Sequence, residues 1–166
     1  MKSRHNPLVR AALSDDSASI WGVLQPVFRA GDTYTIDPDI SEADALSYWM
    51  GAENRVFVAE DEGTVVGTYY LRRNQGGGGR HVCNCGYVTA EAARGRGVAR
   101  AMLAHSLDAA RASGYRAMQY NFVVATNNRA IETWERAGFR VVGRLPGAFH
   151  HPSKGYVDAL VMWADL

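Results

Sequence analysis

The chain has 166 residues, 47% of them hydrophobic, and 18 basic side chains against 17 acidic ones give a formal net charge of +1. That length suits one domain with a sizeable core and is short of two ordinary ones, so a single domain over 1–166 is expected. Basic residues are scattered, apolar runs fall far short of a bilayer span, and Met1-Lys2-Ser3-Arg4-His5 leads into no signal-type apolar core; neither nucleic acid nor membrane is implied and the cytoplasm is the default compartment.

Leu8 to Leu13 reads as a short strand. Ser14-Asp15-Asp16-Ser17 supplies N-cap candidates for a helix through Ile20, Trp21, Leu24 and Phe28, with Pro26 a kink or early stop and Gly31 its end. A loop of turn formers follows. Ser41-Glu42-Ala43-Asp44 is a capping-box-like start, with Asp44 in place of the usual Glu, for a helix through Leu46 and Trp49. Arg55 to Glu60 and Thr64 to Arg72 are β-rich runs around Asp61-Glu62-Gly63, the strongest hairpin signal in the chain, and Gly67 admits a bulge or twist. Asn74-Gln75 and Gly76 to Gly79 have little to bury and read as a hairpin tip.

Val82 to Val88 is the next strand. Cys83 and Cys85 share one face of it, about 6.5 Å apart at the backbone, a poor geometry for a mutual disulfide. With His81 they form an alternating row, but structural zinc uses turn spacings such as Cys-x-x-Cys; they read as two small buried apolar residues, and no metal is expected. A helix from about Val98 to Ser113 carries Ala99, Leu103, Leu107 and Ala110 on one face and stops at Gly114; His105 on it reads as packing or surface. Ala117 to Val124 is a strand, Asn127-Asn128 caps a helix with Ala130, Ile131 and Trp134 that ends at Gly138, and strands at Arg140 to Leu145 and Tyr156 to Trp163 close the chain.

The chemistry concentrates between that central strand and the helix from Val98, in Arg94-Gly95-Arg96-Gly97-Val98-Ala99-Arg100. Two glycines let the backbone approach a ligand, the first amides of a helix have no intrahelical partner, and Arg94, Arg96 and Arg100 add positive charge, so a phosphate or pyrophosphate is the natural guest. Val98-Ala99 after Gly97 is wrong for a P-loop, which needs Lys and then Ser or Thr. Arg100 stands where a dinucleotide fingerprint needs its third glycine.

Arg94-x-x-Gly97-x-Ala99 after an apolar strand resembles instead the acyl-CoA pyrophosphate loop of the GCN5-related N-acetyltransferase family; the plain alternative is an ordinary basic turn. Asn127-x-x-Ala130-Ile131, then Trp134 and Gly138-Phe139, resembles the family's second signature, and two signatures in order are far more specific than one. The resemblance implies one α/β (α+β) domain. Its central sheet would be mixed but mostly antiparallel, with about seven strands, one splayed strand pair and about four flanking helices. Acetyl-CoA would be the co-substrate. By the same resemblance Gly86, Tyr87 and Val88 bond the pantetheine arm through their backbone, the amides from Gly95 through Arg96, Gly97, Val98 and Ala99 to Arg100 hold the pyrophosphate, Asn127 contacts the cofactor, and an amide near Val88 polarises the acetyl carbonyl.

Many relatives carry Tyr at the position of Trp134, where it protonates the departing thiolate; an indole nitrogen is too weak an acid, so Trp134 shapes the site, and Tyr87 and Tyr120 are the candidates for an acid if one exists. His81-Val82-Cys83-Asn84-x-Gly86 and Asn121-Phe122-Val123-Val124 also resemble the fungal proline-analogue N-acetyltransferases that act on azetidine-2-carboxylate and hydroxyproline. In those enzymes the asparagines matching Asn84 and Asn121 lie at the substrate. The alternative for each is a hydrogen bond across the strands. The activity expected is direct transfer to the amine of a small molecule, with Glu60 and Asp158 as candidate proton acceptors. A protein or peptide N-acetyltransferase and a catalytically silent acyl-CoA-binding module are the alternatives, and a homodimer is compatible with this fold.

Overall fold

The computed structural model describes residues 7–166; Met1 to His5, read above for the lack of a signal-type core, lie outside the described residues. The order is β1 (Leu8–Ala11), α1 (Ser17–Ala30), α2 (Glu42–Trp49), β2 (Arg55–Asp61), β3 (Thr64–Arg73), β4 (Val82–Thr89), α3 (Val98–Ala112), β5 (Ala117–Val124), α4 (Asn128–Arg136), β6 (Arg140–His151) and β7 (Gly155–Asp165). The seven strands form one sheet ordered β1-β2-β3-β4-β5-β7-β6. Every neighbouring pair is antiparallel except β4 with β5, which run parallel.

Local signals place most boundaries. Ser41 caps α2 through its Oγ, which accepts from the Asp44 N–H at 3.1 Å and donates to the Asp44 carboxylate. The β2–β3 turn sits on Glu62 and Gly63, both at positive φ, the conformation that fits the twist of a tight hairpin. The bulge falls beside Gly67: Ala59 pairs with Gly67 and Glu60 with Val65, which leaves Val66 as the extra residue.

Three expectations are corrected. The acids before α1 do not cap it from the N-cap position; Ser14–Asp16 form a 3-10 turn, and the Asp16 carboxylate accepts from the Leu13 N–H at 2.7 Å and from two Arg10 nitrogens at 2.8 and 3.0 Å. Neither does Pro26 stop α1, which runs on to Ala30 and ends at Gly31 with φ +65°. Pro26 costs the helix one hydrogen bond, and burial of Ile20, Val23, Leu24 and Phe28 outweighs that loss. Finally, β6 does not end at Leu145. It continues to His151 through a bulge in which Pro146, Gly147 and Ala148 face only Asp158, whose carboxylate accepts from the Gly147 N–H at 2.9 Å and from Arg144 at 2.8 Å.

α1 and α2 cover one face of the sheet over β2 to β4, where Phe28, Trp49, Val58, Tyr70 and Val88 interlock. α3 and α4 cover the other, on Phe57, Tyr69, Leu71, Met118, Tyr120 and Met162. Trp49 is fully buried, and its Nε1 donates to Thr68 Oγ1 at 3.0 Å, which in turn donates to the Phe57 carbonyl. Gly67 sets the approach of α3, since a Cβ there would lie 2.8 Å from Val98 Cγ1 and 3.0 Å from the Met102 side chain. Cys83 and Cys85 are free and buried on the α3 face; burial pushes the Cys83 thiol up to about 12 and the Cys85 thiol well above its ordinary value.

Gly67→Ala should cost about 1–3 kcal/mol in urea unfolding, because helix and strand must move apart; an unchanged midpoint would show that the contact yields freely. Both thiols should stay silent to a disulfide reagent at pH 8 in the native protein and titrate fully in denaturant. The Arg10 guanidinium holds the Asp16 carboxyl below its usual range, so its stabilisation is present above the unfolded pKa and disappears as pH falls through the depressed one. The stability gap between wild type and Asp16→Asn should therefore be wide at neutral pH and close in acid, and a gap that does not change with pH would contradict this assignment.

Candidate functional site

β4 and β5 are held together by only two residue pairs, Val82 with Ala117 and Cys83 with Met118, and then diverge. Immediately beyond the last pair, Asn84 Nδ2 donates to the Gln119 carbonyl at 2.9 Å and spans the start of the gap. Asn84 is buried. Asn121 is exposed and sits in a chain of amides: Gln119 Nε2 donates to Asn121 Oδ1 at 2.9 Å, and Asn121 Nδ2 donates to Asn74 Oδ1 at 2.7 Å. The structure thus brings Asn84 and Asn121 together through Gln119, a residue that sequence reading passed over.

Which backbone groups face the gap follows from the period of the strand. The His81 carbonyl accepts from Arg116 N–H on the β5 side, whereas the Val82 carbonyl accepts from Asn74 N–H and the Ala90 N–H donates to Val66 on the β3 side. Alternation then turns the backbone of Cys85 and Tyr87 into the gap and that of Gly86 and Val88 onto β3. This departs from the expectation that Gly86, Tyr87 and Val88 all present their backbone to a ligand. Gly86 has a different necessity: the Tyr70 ring lies across it, and a Cβ would come within 2.6 Å of Tyr70 Cε1. The Tyr87 carbonyl already accepts from the Tyr34 hydroxyl at 2.8 Å, which pins the loop after α1 over the gap.

On the α3 face the gap is closed by aromatic rings. Trp134 lies 5.0 Å from Tyr87 and 5.1 Å from Tyr120 by ring centroids, and Tyr120 stacks on Phe139 at 4.4 Å. Tyr120 OH donates to Tyr87 OH at 3.0 Å, Tyr87 OH is 2.7 Å from Ser106 Oγ, and Ser106 donates to the Leu103 carbonyl at 2.8 Å. Burial raises both phenols well above their ordinary range, so at neutral pH they are hydrogen-bond donors that keep their protons. His105 shares a hydrogen bond with Tyr69 OH at 2.7 Å and belongs to packing, as expected.

At the far end of β4 the chain turns through Ala93 to Gly97 into α3. Gly95 and Gly97 take φ of +80° and +84°, and α3 starts on Gly97 without a side-chain cap, so the amides of Val98, Ala99 and Arg100 stay available to an anion. Arg96 does not add its charge there: its guanidinium pairs with Asp61 at the end of β2. Its place is taken by Arg129 at the start of α4, whose Nη2 lies 3.7 Å from where a Cβ on Gly95 would be, while Arg100 Nη2 lies 3.6 Å from the same point on Gly97. Asn127 holds the N-cap position of α4 with no side-chain cap bond. The acids proposed as proton acceptors are otherwise engaged, Glu60 by Arg10 at 2.9 Å and Asp158 in the β6 bulge, where the Gly147 amide and Arg144 hold its carboxyl below the usual range.

The glycine turn, the orphan amides and the cations suit a pyrophosphate, and the strand gap suits an extended arm running from it. Comparison with known proteins identifies the family. Residues 21–139 match the model of the acetyltransferase (GNAT) family. A GCN5-related N-acetyltransferase from Kribbella flavida superposes with a TM-score of 0.92 at 42% identity over 96% of this chain and 98% of that one. The N-acetyltransferase aca1 of Schizosaccharomyces pombe is 28% identical over 79% of this chain and 71% of its own. A phosphinothricin acetyltransferase from Sinorhizobium meliloti, solved with acetyl-CoA, shares the fold with a TM-score of 0.85 at 22% identity over 96% of this chain and 88% of that one. The chain therefore belongs to the GNAT family of N-acetyltransferases.

Proposed function

We propose that the protein transfers acetyl from acetyl-CoA to the amine of a small molecule, an amino acid or a proline-like imino acid, by direct attack in a ternary complex. The observation that carries this reading is the gap between β4 and β5, which opens on a cationic turn at one end and on a row of neutral amides, Asn84, Gln119, Asn121 and Asn74, at the other. In its favour stand the fission-yeast N-acetyltransferase relative and the resemblance of the segments around Asn84 and Asn121 to proline-analogue enzymes.

Acetyl-CoA, when bound, supplies the thioester and a fairly good leaving group. The amides of Val98, Ala99 and Arg100, helped by Arg94, Arg100 and Arg129, hold the pyrophosphate, the Arg96 N–H being bonded instead to the Ala93 carbonyl, and Asn127 contacts the cofactor from α4. Cys85 and Tyr87 bond the arm through the backbone they turn into the gap, and the Tyr87 N–H is the donor suited to polarise the acetyl carbonyl. Trp134 shapes the channel without donating a proton. Tyr120 can aim its hydroxyl at the departing sulfur by giving up its bond to Tyr87. Asn84 and Asn121 orient the acceptor, whose ammonium releases its proton to water before attack, Glu60 and Asp158 being committed to arginines.

Free-thiol release from acetyl-CoA should appear with an amino or imino acid from a panel that also holds polyamines, aminoglycosides and short peptides. Asn84→Ala and Asn121→Ala should each lose about tenfold or more in kcat/KM while still binding CoA. Turnover confined to peptides would replace the small-molecule reading with a protein acetyltransferase. Tight CoA binding with no acceptor at all would leave a silent acyl-CoA module, with Trp134 as its cause.

A further inference from the structure

We infer that Arg72 receives a carboxylate of the acceptor, so that acceptors with a free carboxylate are preferred over neutral amines and polyamines; this rests on the small-molecule reading above and names the chemistry it selects. Alternation along β3 puts Thr68, Tyr70 and Arg72 on the α1/α2 face, with Thr68 and Tyr70 fixed by contacts to Trp49. Arg72 is directly opposite Asn84 in the β3–β4 ladder. Its guanidinium carbon lies 5.4 Å from the centroid of the Tyr70 ring, a placement that covers one face of the ion and leaves its edge donors open.

The arginine stands apart from the others in this chain. Among the described residues every other arginine is either exposed or bonded to a protein oxygen, as Arg10 is to Asp16 and Glu60. Arg72 is half-buried, and its guanidinium donates to no acceptor among the described residues. The polar side chains gathered near it, Asn84, Gln119, Asn121 and Asn74, are all neutral, so they can orient a ligand and cannot balance the charge. A half-buried, ring-stacked guanidinium with open donors is matched by a planar anion that takes two parallel N–H bonds. Along β4, Asn84 precedes Tyr87 by roughly 10 Å of strand. One α-amino or imino acid together with the reach of the arginine side chain fills that span.

The test compares azetidine-2-carboxylate and hydroxyproline with their primary amides on wild type, Arg72→Gln and Arg72→Lys, with acetyl-CoA affinity and thermal melting as controls for folding. Wild type should prefer acid over amide. In Arg72→Gln the ratio of kcat/KM for acid over amide should fall by about 10- to 100-fold, mostly through KM of the acid, and Arg72→Lys should keep part of the preference. An acid-to-amide ratio that is unchanged in Arg72→Gln, with the acids still turned over, overturns the role of Arg72 alone. If neither acid nor amide is acetylated while a peptide is, the small-molecule reading falls and this assignment falls with it.

Discussion

Everything distinctive in this molecule depends on hydrogen bonds that β4 and β5 do not make. The strands pair at two positions and then part, although each stays paired on its other edge, β4 against β3 without a break and β5 against β7 across a bulge between Tyr120 and Val123. A buried backbone edge without partners is costly, so the gap must be supported by something else. Side chains do part of that work: Asn84 bridges to Gln119, Tyr34 caps the Tyr87 carbonyl, and Tyr87 and Tyr120 join by their hydroxyls. The groups left facing inward are those a ligand arm can use.

The two sides of the gap differ in polarity because different helices cover them. On the α3/α4 side the start of α3 contributes unbonded amides, and Arg100 and Arg129 surround the glycine turn, so that side favours negative charge. On the α1/α2 side, apolar packing of Phe28, Trp49 and Tyr70 stops at Arg72 and the amide row, leaving a small polar floor. On the function proposed above, an activated acyl donor and its acceptor meet through the sheet from opposite faces. Trp134 closes this channel against Tyr87 and Tyr120, whose hydroxyls are joined to each other and to Ser106.

Much of the fold was legible in the sequence where the cause is local. Ser41 with Asp44 defines a helix start, Gly31, Gly97 and Gly114 mark helix ends through positive φ, and the apolar run Ala117 to Val124 is the strand found. Where the cause is distant, it was not. Nothing near Arg96 says that Asp61 will take its charge, and nothing near Gly95 says that Arg129 will replace it. Likewise the bulge that extends β6 is held by a carboxylate from β7, and Pro146 and Gly147 by themselves read as the end of a strand.

The sequence by itself determined the element order, the glycine-arginine turn at a helix start and the membership signatures of an acetyltransferase, because each is written in residues a few positions apart whose backbone preferences and spacing act locally. Only the tertiary structure decided which atoms face the gap. A strand alternates with period two, so a single pairing, such as the His81 carbonyl with the Arg116 amide, turns Cys85 and Tyr87 inward and Gly86 and Val88 away. Asn84 meets Gln119 across 35 positions of chain, and Arg72 comes to lie directly opposite Asn84, by the same register.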